Sequence, residues 1–242
     1  MGERVNRKLL LSQAVPGRRR AVAGPRHPPS SAPRADGVAL EVAPGDYSTT
    51  SYDQPVFSAV NGGVPTTTSK TRLFSSGPGS LGAAASGAGS RIELRDTEIR
   101  TRGFLGKGID VRMGGSALAE NISIDTGGRS AHGVYVEVSG SRVDLAGSAI
   151  VTRGIEACGI EACGIAVNYA PGAIVNDADT LARTGGDHAS SLFMPGASSV
   201  AFGDAYLQTA RYAAAGVDAR KAVSTGRARP TCRPASACAC MA

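Results

Sequence analysis

The sequence predicts an all-β chain that folds as a solenoid, a β-helix with coils of about 25 residues between disordered termini. A short pattern recurs five times: a threonine, a glycine two positions on, four variable residues, and then a glycine followed by apolar, any and apolar residues. The copies read TRG-FLGK-GIDV, TGG-RSAH-GVYV, TRG-IEAC-GIEAC-GIAV, TGG-DHAS-SLFM and TAR-YAAA-GVDA, starting at Thr101, Thr126, Thr152, Thr184 and Thr209. Their spacings are 25, 26, 32 and 25 residues. A fixed period of this size is typical of repeats that contact only their neighbours.

The residues between the copies alternate between apolar and polar, which is the two-residue period of a half-buried strand. The alternation is clearest at Ile92 and Leu94, at Ile109 and Val111, and at Val134, Val136 and Val138. No window sustains a 3.6-residue apolar stripe over ten or more residues, and Val, Ile and Thr dominate the periodic positions. Each period therefore holds two or three short strands separated by glycine-rich turns, as in one coil of a β-helix.

The longest interval contains a duplication, because Gly-Ile-Glu-Ala-Cys stands at residues 154–158 and again at 159–163. Five extra residues, an odd number, would turn every later side chain to the opposite face if the strand ladder absorbed them. We therefore predict that residues 155–163 protrude from the stack. Three residues are then expected to rejoin it beside an earlier coil: Gly164, Ile165 and Val167 beside Gly133, Val134 and Val136.

Composition agrees with this architecture. The chain has no Trp, 5% aromatic residues and 32 glycines, which suits a narrow interior of Val, Ile, Leu and Ala with glycine in the turns. The net charge of +6 comes from the ends, since residues 90–210 carry ten basic residues against fourteen acidic ones. A mildly acidic repeat region offers no surface that would release counterions from a nucleic acid, so we expect no nucleic-acid partner.

The chain divides into four segments. Residues 1–36 are predicted to be a disordered basic tail, 37–89 degraded N-terminal coils with a loop near 77–89, 90–219 the regular coils, and 220–242 a disordered tail containing Cys and Arg. The first coil is placed at Gly37 because GVALEVAPG parallels GVYVEVSG from Gly133. No stretch approaches the roughly 18 apolar residues of a membrane span, and the apolar run after Lys8 is too short for an export signal.

Neither a metal nor a cofactor is expected. The five cysteines, Cys158, Cys163, Cys232, Cys238 and Cys240, lack a paired two-residue spacing and companion histidines. No glycine-rich phosphate loop or calcium-binding nonapeptide is present. His132 and His188 fall in the variable four-residue turn, where we expect solvent exposure, and His27 falls in the N-terminal tail.

A catalytic site was weighed because parallel β-helices include enzymes that cleave acidic polysaccharides with carboxylates on one outer face. The outward-pointing candidates are Asp110, Tyr135 and Glu137, together with Asn176, Asp177 and Asp179 in an NDAD turn. The position after each Gly-apolar pair is Asp110, then Tyr135, Ala166 and Phe193, so no acidic ladder forms. We therefore expect these positions to be ordinary solvated ones and assign no catalytic, cofactor-binding or metal-binding residue.

The blocks SRIELRDTEI, HGVYVEVSGSRVDLAGSAIV and PGAIVNDADTLARTGG resemble the passenger coils of pertactin-type autotransporters, surface proteins of Gram-negative pathogens. The resemblance covers about residues 37–219. It implies a right-handed parallel β-helix that is secreted or displayed at the outer membrane, is not an enzyme, and acts in adhesion and virulence by binding a host-cell or matrix component. The family's Arg-Gly-Asp tripeptide is absent, so attachment by that route is not carried over.

Two family features, a convincing signal peptide and a C-terminal barrel, are not recognised, and the sequence is interpreted as a truncated member. We expect the chain as written to remain inside the cell and to self-associate through an uncapped last coil near residues 216–219. Two alternatives stay open: a carbohydrate-active β-helix resembling polysaccharide lyases or hydrolases, and the non-functional product of a disrupted gene.

Overall fold

The structure, a computed structural model, describes residues 32–154, 163–168, 172–186, 189–194, 199–209, 217–219 and 223–232. These residues form strands and turns without a helix. The first four coils contain β1 (Arg34–Asp36), β2 (Ala39–Val42), β3 (Asp46–Thr49), β4 (Pro55–Val60), β5 (Val64–Thr67), β6 (Thr71–Ser75), β7 (Leu81–Ser86), β8 (Arg91–Arg95), β9 (Thr97–Thr101), β10 (Lys107–Arg112), β11 (Ser116–Glu120) and β12 (Ser123–Thr126). The later coils contain β13 (His132–Glu137), β14 (Arg142–Ala146), β15 (Ala149–Thr152), β16 (Ile165–Asn168), β17 (Ile174–Ala178), β18 (Leu181–Thr184), β19 (Leu192–Met194), β20 (Ser199–Thr209), β21 (Val217–Ala219) and β22 (Val223–Cys232).

The strands stack in parallel on three faces. Face 1 is the eight-stranded sheet β1-β4-β7-β10-β13-β16-β19-β21. Face 2 runs from β2 through β5, β8, β11, β14 and β17, and face 3 from β3 through β6, β9, β12, β15 and β18; both continue into the long strand β20, which pairs with β22. Successive partners on face 1, from Phe57 to Val217, are 26, 26, 25, 31, 27 and 25 residues apart. The predicted all-β fold and its period are confirmed.

The core is the interior of this stack, where side chains of one coil lie above those of the next. On face 1 one inward column contains Phe57, Ala83, Ile109, Val134, Ile165 and Leu192, all fully buried. Val136 lies in the next inward column between Val111 and Val167. Parallel strands about 4.8 Å apart bring equivalent side chains into contact, so each coil covers the apolar surface of the one before it.

Two glycine columns explain the recurring pattern. A Cβ built on Gly128 would stand 1.8 Å from the carbonyl oxygen of Gly103, and a Cβ on Gly103 would stand 1.9 Å from that of Gly77. At the second glycine of the pattern, a Cβ on Gly108 would lie 2.4 Å from the Ile124 side chain. Both positions bring backbone closer than any side chain permits, which is why glycine recurs at each coil.

A single residue turns the chain from face 2 to face 3. This residue has a positive φ in five coils: Asp96 (45°), Asn121 (53°), Gly147 (56°), Asp179 (52°) and Asp204 (57°). Asp, Asn and Gly are the residues that tolerate the left-handed region at least cost. The Asn121 amide also donates to the Asp96 carboxylate, so the corner is bonded from coil to coil.

The threonine of the pattern faces inward and forms a buried column with Ser75. The hydroxyls of Ser75, Thr101, Thr126 and Thr152 have no hydrogen-bond partner in the described structure. Thr67 is buried on face 2 and differs, because its Oγ1 accepts from the Arg95 N–H at 3.0 Å and lies 2.8 Å from the Thr97 hydroxyl.

We expect Thr126→Val to stabilise the protein by about 1 kcal/mol, because it replaces a buried, unpaired hydroxyl with a methyl group of similar volume. The matched control is Thr67→Val, which removes two hydrogen bonds and should destabilise by about 1 to 3 kcal/mol. Urea unfolding followed by circular dichroism measures both changes. A loss of stability in Thr126→Val as large as in Thr67→Val would contradict the assignment.

Three sequence-based placements are corrected. Ala39–Val42 lies on face 2 beside Val64–Thr67, so GVALEV is not the counterpart of GVYVEV, and the first coil already contains Arg34–Asp36. Leu81–Ser86 is a strand of the stack and not a loop. Val223–Cys232, assigned to a disordered tail, pairs with β20, so the stack does not stop at residues 216–219. Within the ranges described, no segment forms a helix able to cross a bilayer.

The stack resumes after the duplication as predicted. Ile165 pairs with Val134 and Val167 pairs with Val136, and the Val134 N–H donates to the Gly164 carbonyl at 2.8 Å. Cys163 was expected to protrude, but it is buried and its carbonyl accepts from the Gly133 N–H at 2.9 Å. The expectation that residues 155–162 loop out lies outside the described residues.

Candidate functional site

A group of polar side chains covers the outer surface of face 1 where the fourth, fifth and sixth coils meet. We call it the face-1 cluster; its members are Lys107, Asp110 and Arg112 of β10, His132, Tyr135 and Glu137 of β13, and Asn168 of β16. The ladder aligns Asp110 with Tyr135, and Arg112 with Glu137, which in turn aligns with Asn168. Strand alternation sends these side chains outward while Ile109, Val111 and Val134 point into the core.

Asp110 is the centre of the cluster's ion pairs. Arg112 forks onto its carboxylate, with Nε to Oδ1 at 2.9 Å and Nη2 to Oδ2 at 2.8 Å, and the Lys107 ammonium lies 3.6 Å from Oδ2. Arg112 also reaches Glu137, Nε to Oε2, at 3.4 Å. The Asp110 side chain is only 2% exposed, so its own partners cover it completely. Two cations and two carboxylates therefore balance each other within the cluster.

The Tyr135 ring lies beneath the two cations. The Lys107 ammonium is 3.8 Å from the ring centroid, and the Arg112 guanidinium carbon is 5.9 Å from it. The Asn168 amide donates to the Tyr135 hydroxyl at 2.8 Å. Attraction of a cation to the ring face contributes about 0.5 to 2 kcal/mol, more where water is excluded. Tyr135 therefore orients Lys107 as well as filling the space between coils.

Burial sets the protonation of this cluster. Desolvation lowers the pKa of Lys107 against the opposing attraction of Asp110. Burial alone would lower the pKa of Arg112, but the Asp110 carboxylate outweighs it and the net direction is upward. Burial raises the pKa of Tyr135, while the Asn168 hydrogen bond opposes that change. The cluster consequently holds a neutral phenol and two cations at neutral pH.

His132 closes the inner side of the cluster. It is 6% exposed, its ring centroid is 5.2 Å from that of Tyr135, and its Nδ1 accepts from the Cys163 N–H at 3.3 Å. Burial, with the nearby Lys107 charge, lowers the pKa of His132 to about 3, so the imidazole is neutral at physiological pH. The expectation of a solvent-exposed His132 is wrong, because the residue before the pattern's second glycine already begins the strand. His188 and His27 lie outside the described residues.

Sequence reasoning found three members of this cluster and missed the rest. Asp110, Tyr135 and Glu137 share one outer face as predicted, yet Asp110 is enclosed and not an ordinary solvated position. Lys107, Arg112 and Asn168 were missed. Their signal is register: aligning the coils on the pattern's second glycine puts Lys107 beside His132 and Arg112 beside Glu137.

The other three candidates lie elsewhere, on face 2 and its corner. Asn176 points outward from β17 and its amide donates to Asp144 at 2.6 Å, and Asp179 is the exposed corner residue. Asp177 faces inward in the column of Leu145, is 3% exposed, and neither carboxyl oxygen accepts a hydrogen bond of good geometry. Burial raises its pKa to about 6, and the Thr180 hydroxyl opposes that change. The prediction of an outward-facing turn is therefore wrong for Asp177.

Metal ligation has no site among the residues that the structure describes, since no three His, Cys, Asp or Glu side chains converge there. In the face-1 cluster, Arg112 and Lys107 occupy the carboxylates that a cation would need. The cluster's chemistry is instead that of hydrogen-bond donors fixed on a flat strand surface.

No protein-family model and no curated protein matches the chain. Among solved structures, the chain is similar to one in the cryo-EM structure of the Vag8–C1 inhibitor complex, where Vag8 is a Bordetella autotransporter passenger. The two are 19% identical with a TM-score of 0.48, over 81% of this chain and 60% of that one. This chain thus spans less than two thirds of that structure's length.

Proposed function

We propose that this chain is a non-enzymatic binding scaffold, an adhesin-like β-helix that is displayed at the cell surface or secreted and that binds a host-cell or matrix component. The observation that carries the proposal is the pairing of carboxylates with cations in the face-1 cluster. Asp110 and Glu137 share Arg112, and Asp110 lies beneath Lys107 and Arg112. The sequence resemblance to autotransporter passengers supports the surface location.

This pairing disfavours hydrolysis for a geometric reason. A glycosidase needs one carboxyl group that reaches the glycosidic oxygen and a second that reaches the sugar or a water on its other side. Asp110 cannot reach a substrate because its side chain is 2% exposed. Glu137 is more accessible, at 33% exposure, but no second carboxylate of the cluster faces solvent with it. The same enclosed pairs make a rigid, pre-organised recognition surface, which lowers the entropic cost of binding.

One observation favours a second candidate, a polysaccharide lyase. Lys107 has a lowered pKa and stands on Tyr135 beside Arg112, and a β-elimination needs a base together with a cation that steadies the substrate carboxylate. We place this candidate second because Lys107 is 13% exposed and is held by Asp110.

Incubation of the purified chain with a panel of uronic-acid polysaccharides separates the two candidates. Ultraviolet absorbance reports the double bond that elimination creates, and a reducing-end assay reports hydrolysis. We expect no product from the wild type or from Lys107→Ala. Product formed by the wild type and lost in Lys107→Ala, with Arg95→Ala on face 2 as the matched surface control, would overturn the proposal in favour of the lyase.

Binding and location need their own measurement. We expect the purified chain to bind cultured host cells or immobilised matrix proteins, and Arg112→Ala to reduce that binding more than Arg95→Ala does, since both residues form one cross-coil pair with a glutamate. Antibody labelling of intact producing cells reports display, and size-exclusion chromatography reports self-association through the end of the stack. Absence of binding to every cell and matrix tested, or equal loss in both variants, would contradict the proposal.

A further inference from the structure

A second polar surface lies on the outside of face 3, at the first three coils and on a different side of the stack from the face-1 cluster. Six side chains form a grid of two columns there: Asp46, Arg72 and Glu98 in one, and Ser48, Phe74 and Arg100 in the other. The grid borders a cavity of about 530 Å³. This volume is within the roughly 300 to 1,000 Å³ of small-molecule sites.

Phe74 stands at the middle of its column with its ring open to solvent. The residue is 41% exposed, with Ser48 on one side and Arg100 on the other. A single exposed aromatic is ordinary on a protein surface. Phe74 differs because a fixed set of donors and acceptors borders it in the same plane of strands.

These donors and acceptors form one continuous chain of ion pairs along two sides of Phe74. Arg72 bridges two carboxylates, with Nη1 to Asp46 Oδ1 at 3.5 Å and Nε to Glu98 Oε2 at 3.3 Å. Glu98 in turn pairs with Arg100. The Arg72 and Asp46 side chains are 67% and 74% exposed, so both keep polar atoms available to a ligand. Two arginines and two carboxylates give the grid no net charge.

We propose that this grid binds an uncharged saccharide of one or two rings, with one sugar face on the Phe74 ring and the hydroxyls bonded to Glu98, Arg100 and Arg72. The face of an aromatic ring is electron-rich and attracts the C–H groups on the less polar side of a sugar. Carboxylates accept from hydroxyls and guanidinium groups donate to them, each more strongly than a neutral partner would. A polyhydroxyl ligand uses both kinds of group at once.

The charge balance selects against other ligands. A phosphate, sulfate or uronate would find each arginine already opposed by a carboxylate, and a purely apolar ligand would leave four charged groups without hydration. The site does not depend on surface display or on the face-1 cluster, so its test can succeed or fail independently of the proposed function.

Saturation-transfer NMR with the purified full chain tests the proposal. The probes are methyl glycosides of glucose, galactose and N-acetylglucosamine and their disaccharides, with glucuronic acid and a sulfated disaccharide as the acidic arm. We expect binding of at least one neutral glycoside and about tenfold or greater weakening in Phe74→Ala. Glu98→Gln, which keeps the shape but removes the charge, should weaken binding less.

Phe104→Ala is the matched control, since Phe104 is also an exposed phenylalanine, at 48%, and lies outside the grid. It should leave binding unchanged. Thermal unfolding of each variant confirms that it is folded, and Glu98→Gln keeps the test open if Phe74→Ala fails to fold. Three results would overturn the proposal: no neutral glycoside binds, only the acidic probes bind, or Phe74→Ala and Phe104→Ala weaken binding equally.

Discussion

Replacing Val136 with aspartate is expected to destabilise several neighbouring coils together, by about 4 kcal/mol or more. Val136 is fully buried between Val111 of the preceding coil and Val167 of the following one. A carboxylate at this position would lose its hydration and meet only methyl groups, which costs several kcal/mol even after relaxation. Because each coil is covered by its neighbours, the loss should appear as one broadened or lowered transition for the coils around β13.

The matched variant is Glu137→Ala, one residue further on and on the outside of the same strand. Glu137 is 33% exposed and its pair with Arg112 spans 3.4 Å, and partly exposed pairs of this kind contribute about 0 to 1 kcal/mol. Urea and thermal unfolding followed by circular dichroism measure both variants. Similar losses in the two would mean that the inner and outer positions of β13 are assigned incorrectly.

Asp177→Leu is expected to stabilise the protein by about 3 kcal/mol at neutral pH, the free energy that corresponds to raising the pKa of this carboxyl from 3.8 to about 6. Asp177 occupies an inward position beside Leu145, and its carboxylate accepts no good hydrogen bond. A leucine would continue the apolar column of that face. Asp179→Asn is the control, because Asp179 is exposed at the corner and asparagine tolerates its φ of 52°.

The stabilisation should depend on pH in a defined direction. Below about pH 4 the Asp177 carboxyl is protonated in both the folded and the unfolded chain, so its ionisation costs nothing. Between about pH 4 and 6 the unfolded chain ionises first, and the wild type loses stability as the pH rises; above about pH 6 the loss is complete. The gap between Asp177→Leu and the wild type should therefore widen over that interval and then stay constant.

His132 has the opposite pH dependence and has to be subtracted. Its folded pKa of about 3 is below the ordinary 6.5, so the wild type loses stability as the pH falls below about 6.5. Both proteins contain His132, and the difference between their unfolding free energies cancels its contribution. A gap that does not change between pH 4 and 7 would contradict the burial of an ionisable Asp177.

The fold was predictable because the side-chain period and the coil period are both visible in the sequence. Val134 and Val136 were placed inside and Glu137 outside from alternation alone, and the structure agrees. The rejoining of Ile165 and Val167 followed from parity, since only one of the two copies keeps the apolar residues inward. These are local rules repeated at every coil, so one sequence contains several independent readings of them.

The parts that were missed depend on contacts between coils or on composition that misleads. Lys107 and Arg112 lie 25 residues before His132 and Glu137, and their role appears only when the coils are aligned. Asp177 was assigned to a turn because NDAD has turn composition, although Ala173, Val175 and Asp177 follow the inward period of two. Leu81–Ser86 was assigned to a loop because alanine and glycine fill the inward positions that Ile and Val occupy elsewhere.

The long interval within the sixth coil shows how the stack responds to added chain. Thr152 still pairs with Thr126, and Ile165 still pairs with Val134, although the partners on either side of this interval are 31 residues apart instead of about 25. Each doubling of a flexible segment costs only about 0.6 kcal/mol in closure entropy. Residues 154–164 are therefore a permissive point for grafting: a foreign peptide inserted between Cys158 and Gly159 would be carried without a change of register, which makes this coil suited to presenting an epitope.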